Sequence, residues 1–389
     1  MRLAVVVSHP IQYYAPLWRA LAPCLDLKVF FATRVGLDKT FDAEMGAPVS
    51  WATDLTAGYA HEFLPGAAGF ARTGFHVDNP GLGAALSGFS PDAVVLHGYG
   101  SKTLLRALVW AKLHRARALL VADSSGDLLA PGWRRRVKRL LLRRYDAALT
   151  MGDRGEAHLA SLGYPRARMV RMPTMMDEVF WTARRERARL RAQTRAAQGL
   201  NENDFVVLAA AKLSPRKRLS DLIAAARGLN ATLLIAGDGE QRAMLEAQAA
   251  ESGLDARFLG FVNIDALPAL YAAADVFVHP AAREPYGMVA VEAAIVGLPL
   301  IVADDMGAVG ATSIARPGVN ALVHRAVDVA ALAAHLHRLA GDEGLRARLA
   351  AGSLQLSQDH DGRLSVAAVR TAAGGARIGG PPEGGLPKG

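Results

Sequence analysis

Cysteine is nearly absent from this sequence, which also contains no long apolar run. Its 389 residues include one cysteine, Cys24, so no disulfide can form within a monomer and a disulfide-stapled domain is excluded. No run reaches about 18 apolar residues, so we predict no transmembrane helix. The apolar stretch after Arg2 has only five residues, which is too short for a secretory signal. We therefore expect a cytoplasmic protein.

Aromatic and acidic residues are also scarce. Phe, Trp and Tyr make up 6% of the chain, and 36 acidic residues stand against 45 Lys and Arg, a net charge of +9. Such a charge favours anionic partners: nucleotides, phosphates, a membrane surface or nucleic acid. No recognised nucleic-acid motif or aromatic–basic platform accompanies it, so we predict no nucleic-acid partner. The hydrophobic content of 51% indicates a globular chain, long enough for two domains.

The first half alternates short apolar segments with helical ones. Strands are predicted at Leu3–Val7, Leu27–Phe31, Ala93–His97, Ala118–Ala122, Ala147–Thr150 and Met169–Met172, with helices such as Pro16–Leu25 and Lys102–Leu113. This βαβα alternation predicts a parallel sheet with helices on both faces.

From Asn201 the pattern starts again. It predicts strands at Phe205–Ala211, Ala231–Ala236, Ala256–Leu259, Val276–His279 and Leu298–Ala303, and helices at Leu219–Gly228, Gly239–Ser252, Ile264–Ala273, Met288–Val296 and Val329–Leu339. We therefore predict an α/β protein of two doubly wound Rossmann-like domains facing a cleft, residues 1–178 and 179–360. The Gly/Pro-rich tail, residues 374–389, is predicted to be disordered.

The most informative stretch runs from Asp275 to Gly307. Glu284 lies in a loop after a predicted strand, and Glu292 lies in the helix that follows. In open α/β sheets this edge, where a strand ends and a helix begins, is where ligands bind. Asp304 and Asp305 come later in the stretch; neighbouring residues of a strand point to opposite faces, and no third ligand is evident. We therefore predict no metal site there.

The residues around the two glutamates carry a family resemblance. This segment resembles the E-x7-E signature of retaining glycosyltransferases of family 4, at the positions Glu284, Tyr286, Gly287, Glu292, Ala293, Gly297 and Pro299. The resemblance implies the GT-B fold, with residues 361–373 as a helix that crosses back to the first domain. It also implies transfer of a sugar from a UDP- or GDP-sugar to an acceptor hydroxyl with retained anomeric configuration. The donor is a co-substrate, and no cofactor or metal is required.

Basic residues after the strand Phe205–Ala211 can neutralise a diphosphate. By resemblance, Lys212 and Lys217 bind the donor diphosphate, Glu284 lies near the donor sugar and Glu292 binds the ribose hydroxyls. Arg216 and Arg218 are expected to face solvent. The remaining donor-binding candidates are turn glycines, a base-binding segment and the amides that begin the helix: Gly237, Gly239, Phe261, Val262, Gly287, Met288 and Val289.

The N-terminal half has to hold the acceptor. The loop after the first strand resembles the H-P-I-Q-Y variant of a bacterial subset of the family, and His9 and Gln12 are acceptor-side candidates. Asp123, at the end of another strand, is a third. His97 is the candidate for a catalytic histidine near the donor sugar, beside Lys212, Lys217 and Glu284, with Tyr99 as the competing alignment. A histidine bonded to nearby backbone is the alternative reading.

The segment Trp133–Tyr145 predicts a basic amphipathic helix. Such a helix either contacts an anionic membrane peripherally, at the inner face, or packs its apolar stripe on its own sheet. The resemblance implies a glycan or lipid-linked acceptor, in bacterial polysaccharide, glycolipid or glycoconjugate synthesis. Two alternatives remain open: a catalytically silent GT-B binding partner, and another GT-B enzyme such as a nucleotide-sugar epimerase.

Overall fold

The computed structural model describes residues 1–37, 40–42, 47–49, 53–122 and 132–375. Asp123 and residues 376–389 of the predicted tail therefore lie outside the described residues. The strands, in chain order, are β1 Arg2–Val7, β2 Asp26–Phe31, β3 Thr40–Asp42, β4 Ala47–Val49, β5 His61–Phe63, β6 Ala93–His97, β7 Arg117–Ala122, β8 Ala147–Thr150, β9 Met169–Arg171, β10 Val206–Ala210, β11 Thr232–Ala236, β12 Asp255–Phe258, β13 Val276–His279, β14 Leu300–Ala303 and β15 Ala321–His324.

Two parallel sheets organise these strands. The first has the order β5-β2-β1-β6-β7-β8-β9, and the second has the order β12-β11-β10-β13-β14-β15. Strands β3 and β4 form a separate antiparallel pair. Continuous apolar strands such as β10 and β14 are buried along their whole length, because helices cover both faces of a parallel sheet. The prediction of two doubly wound Rossmann-like domains is confirmed.

Fourteen α-helices are described. They are α1 Ala15–Leu21, α2 Leu82–Phe89, α3 Lys102–Leu113, α4 Gly132–Leu142, α5 Asp153–Ser161, α6 Glu178–Arg185, α7 Arg187–Ala197, α8 Leu219–Ala225, α9 Arg242–Glu251, α10 Leu267–Ala273, α11 Met288–Val296, α12 Val329–Gly341, α13 Glu343–Leu356 and α14 Arg363–Gly374. Within the described ranges no helix is both long and apolar enough to cross a membrane.

The order of strands fixes where loops can meet. In each sheet the direction of winding reverses between two central strands, β1 and β6 in the first and β10 and β13 in the second. We call this position the switch point of the sheet. The loops that leave two such neighbours diverge to opposite faces and leave a crevice, in which doubly wound proteins bind ligands. His9, Lys217 and Glu284 lie in segments that follow β1, β10 and β13, and His97 is the last residue of β6.

The last helix does not stay with the second sheet. Helix α14 packs against α1 and against β7, β8 and β9 of the first sheet. The Arg117 side chain of β7 donates to the carbonyl of Ala372, 3.1 Å away. The chain that leaves the second sheet thus ends on the first.

Several predicted boundaries were wrong. The helix predicted at Pro16–Leu25 ends at Leu21, because Pro23 has no N–H with which to continue the helical hydrogen bonds. The helix predicted from Gly239 begins at Arg242, after a turn in which Gly237 and Gly239 have positive φ. Strands β5 and β15, each of three or four residues, were not predicted.

Candidate functional site

The switch point of the second sheet joins the loop after β10 to the loop after β13. Glu284 is only 8% exposed, and its Oε2 atom is the centre of the junction. The Lys217 ammonium lies 2.5 Å from that oxygen, the Arg216 guanidinium 3.2 Å and His279 Nε2 3.3 Å. The structure therefore brings together two of the predicted residues, Glu284 and Lys217, as an ion pair.

Burial and positive charge compete for the Glu284 carboxyl. Burial alone would raise its pKa, but the hydrogen bond from His279 and the charge of Lys217 outweigh it and hold the pKa at about 2. Burial lowers the pKa of His279, so this imidazole is neutral at neutral pH and the positive charge comes from Lys217. Glu284 is therefore ionised in the folded protein.

Two basic residues lie elsewhere than predicted. Arg216 does not face solvent alone but contacts Glu284, with 41% of its side chain exposed. Arg218 forms a two-pronged pair with Asp221, at 2.5 and 2.8 Å, at the start of α8. In both cases a carboxylate that the sequence did not place beside the loop takes up the guanidinium.

Glu292 has the opposite surroundings. It lies on α11, is 2% exposed, and accepts a hydrogen bond of 2.7 Å from the Tyr271 hydroxyl of α10. The phenol of Tyr13, from the loop after β1, also interacts with this carboxyl. Burial raises the pKa of Glu292 to about 7, against the two tyrosine hydrogen bonds that lower it. Two phenols therefore cover this carboxyl in the structure, and its assignment to the ribose hydroxyls stays a prediction.

Helix α11 begins where the chain makes a sharp turn. Gly287 has φ 97°, where a side chain would be strained, and a Cβ atom there would also displace the Met306 side chain, 1.9 Å away. The helix then starts at Met288 and Val289, whose amides belong to its first turn. Helix N-termini carry unpaired N–H groups and a partial positive charge, which suit a phosphate.

The other donor-site candidates border the same crevice. Gly237 donates a hydrogen bond of 2.7 Å to the carbonyl of Gly260, and a Cβ at Gly237 would lie 1.8 Å from the Ala211 carbonyl. Lys212 is half-buried directly after β10, and Phe261 and Val262 are half-buried after β12. These segments line three neighbouring loops at the carboxyl edge of the second sheet.

The switch point of the first sheet holds the predicted N-terminal candidates. His97 ends β6, and its ring makes edge contacts with Tyr14 at 4.3 Å and Trp18 at 5.4 Å. Both ring nitrogens of His97 and Oε1 of Gln12 are buried and find no hydrogen-bond partner among the described residues. Burial lowers the pKa of His97 to about 3, so the ring is neutral. The alternative of a histidine bonded to nearby backbone is not what the structure shows.

His9 lies near His97, whose pKa its charge also lowers, and its Nδ1 is 2.8 Å from the Ser8 hydroxyl. Tyr99, the competing alignment, lines a separate cavity of about 230 Å³ with His158. Buried polar atoms without partners are uncommon in folded proteins and mark places where a polar ligand can bind. The first switch point thus offers neutral hydrogen-bonding groups, whereas the second offers charge.

The basic helix α4 is only partly packed. Leu142 and Tyr145 are buried, but Trp133, Val137 and Leu140 are 65%, 55% and 62% exposed. Of the two alternatives, packing on its own sheet therefore holds only for the C-terminal part of the segment, and membrane contact stays a prediction. The exposed side chains stand among arginines, one of which, Arg134, lies over the Trp133 ring.

The two aspartates set aside as metal ligands have structural partners. They follow β14 rather than lying within a strand as predicted. Asp304 Oδ1 accepts from the Ala326 amide at 2.9 Å, and Asp305 Oδ2 accepts from the Arg283 amide at 2.8 Å. Across the described part of the chain, no three His, Cys, Asp or Glu side chains are grouped so that they could hold a metal ion.

Three residues at the site were not predicted from sequence: His279, Tyr271 and Tyr13. His279 is the last residue of β13, and its position at the carboxyl end of a switch-point strand was a usable signal. Tyr271 and Tyr13 meet Glu292 from a helix and from the other domain, and no sequence spacing indicates such contacts.

Comparison with known proteins fits this geometry. Residues 191–354 match the family model of group 1 glycosyl transferases. A D-inositol 3-phosphate glycosyltransferase of Salinispora arenicola is 35% identical over 190 residues, 45% of this chain and 42% of that protein. A 2-deoxystreptamine glucosyltransferase of Streptomyces kanamyceticus is 40% identical over 108 residues, 26% and 28% of the two chains. The chain thus matches less than half the length of these curated relatives.

Solved structures extend the likeness to the whole fold. HepE of Anabaena in complex with UDP superposes with a TM-score of 0.74 and 18% identity, over 96% of this chain and 100% of that one. The same protein in complex with UDP-glucose gives a TM-score of 0.68. Two parallel-sheet domains in this arrangement define the GT-B fold, and this chain has it.

Proposed function

We propose that the protein is a glycosyltransferase that moves a sugar from a nucleotide-sugar to an acceptor hydroxyl with retention of anomeric configuration. The observation that carries the proposal is the ion pair between Glu284 and Lys217 at the start of α11, on the switch point of a GT-B domain. That crevice combines a fixed cation, a helix N-terminus and tight glycine turns, which together suit a diphosphate.

Lys217 can hold the leaving diphosphate without leaving Glu284. An ammonium group has three N–H donors, so one lysine can bind a carboxylate and phosphate oxygens together. The carboxylate of Glu284 fixes the lysine, which is 13% exposed. Lys212 and the first amides of α11 would share the charge. A cation that is fixed before the reaction stabilises developing charge without reorganisation.

In the proposed reaction the bond between the anomeric carbon and the diphosphate oxygen breaks, and the electron pair stays on the phosphate. The acceptor oxygen bonds to the same face of that carbon, and its proton passes to the leaving phosphate. This route needs no covalent nucleophile, and Glu284 is held by three cationic or N–H groups rather than directed at a sugar. His97, His9 and Gln12 would hold sugar hydroxyls from the opposite domain.

The donor is proposed to be a UDP-sugar, because UDP and UDP-glucose are bound in the HepE structures. The test is a thermal-shift screen of UDP, GDP, ADP and their common sugars, with EDTA as a parallel arm. Specific nucleotide binding raises the melting temperature by mass action. Activity that is lost in EDTA and restored by Mg²⁺ would contradict the metal-independent diphosphate site, and GDP alone binding would reassign the donor.

Two alternatives share the fold. A silent binding partner would bind nucleotide without turnover, and an epimerase would release a new sugar without any acceptor. Product analysis with a labelled donor separates them, since only the transferase moves label to an acceptor hydroxyl. The acceptor is proposed to be a glycan or a lipid-linked glycan, in polysaccharide, glycolipid or glycoconjugate synthesis.

The helix α4 is proposed to contact an anionic membrane surface. Three exposed apolar side chains stand among arginines and a lysine, and each basic residue near such a surface adds roughly 1 kcal/mol of attraction. Sedimentation with vesicles tests it: the wild type should pellet with vesicles containing phosphatidylserine and stay in solution with pure phosphatidylcholine.

The paired change Trp133→Ser and Val137→Ser should abolish the sedimentation. Val109→Ser together with Leu113→Ser removes two exposed apolar side chains from α3 and serves as the control. If both pairs, or neither, alter binding, α4 is not the contact.

A further inference from the structure

The two domains touch at a compact polar contact outside the candidate crevice. Asp153 opens α5 in the first domain, and its Oδ2 accepts a hydrogen bond of 2.8 Å from the Thr312 amide of the second. Arg171 on β9 contacts both, with 2.7 Å to Asp153 Oδ1 and 3.3 Å to the Thr312 carbonyl. The Asp153 amide in turn donates to the Ser313 hydroxyl at 3.0 Å. We call Asp153, Arg171, Thr312 and Ser313 the domain latch.

The latch is packed without spare room. A Cβ atom on Gly310 would lie 2.2 Å from Asp153 Oδ2, and one on Gly152 would lie 2.9 Å from the Ser313 hydroxyl. A methyl group at either position would displace a latch side chain. The two domains are therefore in close contact at this point.

Thr312 belongs to the loop between β14 and β15, residues 304–320, and the other side of this loop touches the candidate site. The Gly307 amide donates to the Glu284 carbonyl at 2.9 Å, and the Ala308 amide donates to the Tyr286 carbonyl at 2.8 Å. The Ala315 amide donates to the Ala308 carbonyl at 3.0 Å, which ties the two sides of the loop together. Hydrogen bonds and short backbone segments of this loop thus connect Asp153 to the backbone of Glu284.

Packing reinforces this connection. A Cβ on Gly307 would lie 1.9 Å from the Pro285 carbonyl, and the Tyr286 ring lies beside Gly152 of the first domain. Asp153 is ionised at neutral pH. Burial alone would raise its pKa, but the hydrogen bonds from Thr312 and Arg171 hold the pKa at about 2. At neutral pH the latch is therefore a charge-assisted contact.

We infer that Asp153 and Arg171 are positioning residues for the donor site: they hold Thr312, and through the β14–β15 loop they fix Glu284 and Tyr286. The inference rests on the proposed function for its meaning in catalysis. The diphosphate site is then complete only when the domains meet at the latch, so that domain closure and the assembly of the site are one event. Their effect is proposed to pass through the Glu284 loop and not through contact with the substrates.

We call the connection from the latch through the β14–β15 loop to Glu284 the relay. Hydrogen exchange on the full chain tests it without any nucleotide. Asp153→Asn keeps the shape of the side chain and removes its charge, and Gly310→Ala introduces a methyl group into the contact. Both should speed exchange of the Gly307 and Ala308 amides about tenfold. Matched controls are Asp78→Asn, which removes a surface ion pair with Arg106, and Gly341→Ala, where an added Cβ meets nothing within 4 Å.

A second pair of variants distinguishes a specific effect of the latch from a general loosening of the structure. Thr312→Ser keeps the hydroxyl that bonds to Asp153, whereas Thr312→Val removes it. We expect wild-type exchange at Gly307 and Ala308 for the serine variant and faster exchange for the valine variant. Faster exchange confined to residues 150–156 and 310–313 would overturn the relay, and so would equal effects of serine and valine.

Nucleotide binding is the second measurement. Asp153→Asn should lower the affinity for UDP severalfold, with the same result for Gly310→Ala. If the wild type binds no nucleotide, the proposed function fails while the exchange data still decide the relay. If UDP binds and all latch variants match the wild type in both exchange and affinity, the relay is wrong and the proposed function stands.

Discussion

Glu284 and Glu292 stand near each other in sequence, yet their surroundings are opposite. Glu284 is buried among Lys217, Arg216 and His279, and the pKa of its carboxyl is lowered to about 2. Glu292 is buried between the phenols of Tyr271 and Tyr13, and burial raises its pKa to about 7. Burial acts on both in the same direction, so the difference comes from the charge of the partners.

This contrast separates two uses of a carboxylate. A permanently ionised Glu284 holds a lysine in place, which requires charge at all times. Glu292 is close to half protonated at neutral pH, and the hydroxyls of a bound ribose would favour its ionised form. The first carboxylate therefore organises the site before the donor arrives, and the second responds to the donor.

The largest expected effect concerns the stability of the folded state. Because the folded pKa of Glu292 is raised, its stabilising contribution is present below about pH 4.5 and is lost as pH rises through 7. Glu292→Gln removes that loss and keeps an acceptor for Tyr271. The unfolding free energy of the variant should gain on the wild type by about 3 kcal/mol between pH 5 and pH 8, measured by urea denaturation.

Because the wild type and the variant are compared at each pH, the contributions of histidines that titrate between pH 5 and pH 8 to the unfolding free energy cancel. Glu284 does not interfere, because its contribution is lost only below its usual pKa. If the unfolding free energies of the two proteins differed by a constant amount from pH 5 to pH 8, Glu292 would be ionised throughout. The two carboxylates would then not differ in ionisation.

The next effect is on turnover. Lys217→Ala removes the cation that Glu284 holds, so charge developing on the leaving phosphate loses a fixed partner. We expect kcat to fall about a hundredfold, with a smaller change in donor KM. Steady-state kinetics decide, with Lys28→Ala, which breaks a surface pair with Glu62, as the control. A raised KM with unchanged kcat would reduce Lys217 to a binding residue.

Much of the fold could be predicted from the sequence because its signals are local. Strands such as Ala93–His97 and Ala147–Thr150 and the helix Lys102–Leu113 have the predicted bounds, since continuous apolar runs and turn residues mark them. Errors fall where a local signal is weak. Strand β15 has four residues and is recognised only by its pairing with β14.

The site divides in the same way. Glu284, Lys217 and Gly287 could be singled out because their loops follow a strand or precede a helix and carry the family resemblance, while their roles toward the donor stay predictions. The phenols that cover Glu292 could not, because Tyr13 arrives from the other domain. Arg216 was misplaced for a related reason: a basic loop is usually solvated, and its pairing with Glu284 depends on how β10 and β13 lie side by side.

Donor affinity should show the response of Glu292 directly. Glu292→Gln should weaken UDP binding about tenfold at pH 8, since a hydrogen bond to a charged group is worth roughly 1.5–3 kcal/mol. Wild-type affinity should fall below pH 7, as the carboxyl is protonated, while the affinity of the variant stays flat. Calorimetry across pH measures both. Equal affinities at pH 8 would show that the ribose does not reach Glu292.

The smallest expected effect is that of Arg216, the second cation at Glu284. Its side chain is 41% exposed and 3.2 Å from Oε2, whereas Lys217 is 13% exposed and 2.5 Å away. Exposed ion pairs contribute about 0–1 kcal/mol, because water screens them and ordering both side chains costs entropy. Arg216→Ala should therefore change kcat and donor KM by less than about threefold, close to the effect of Arg106→Ala in the exposed pair with Asp78. A loss of tenfold or more in kcat would place Arg216 on the diphosphate with Lys217, and the charge that sets Glu284 apart from Glu292 would then be shared by two cations.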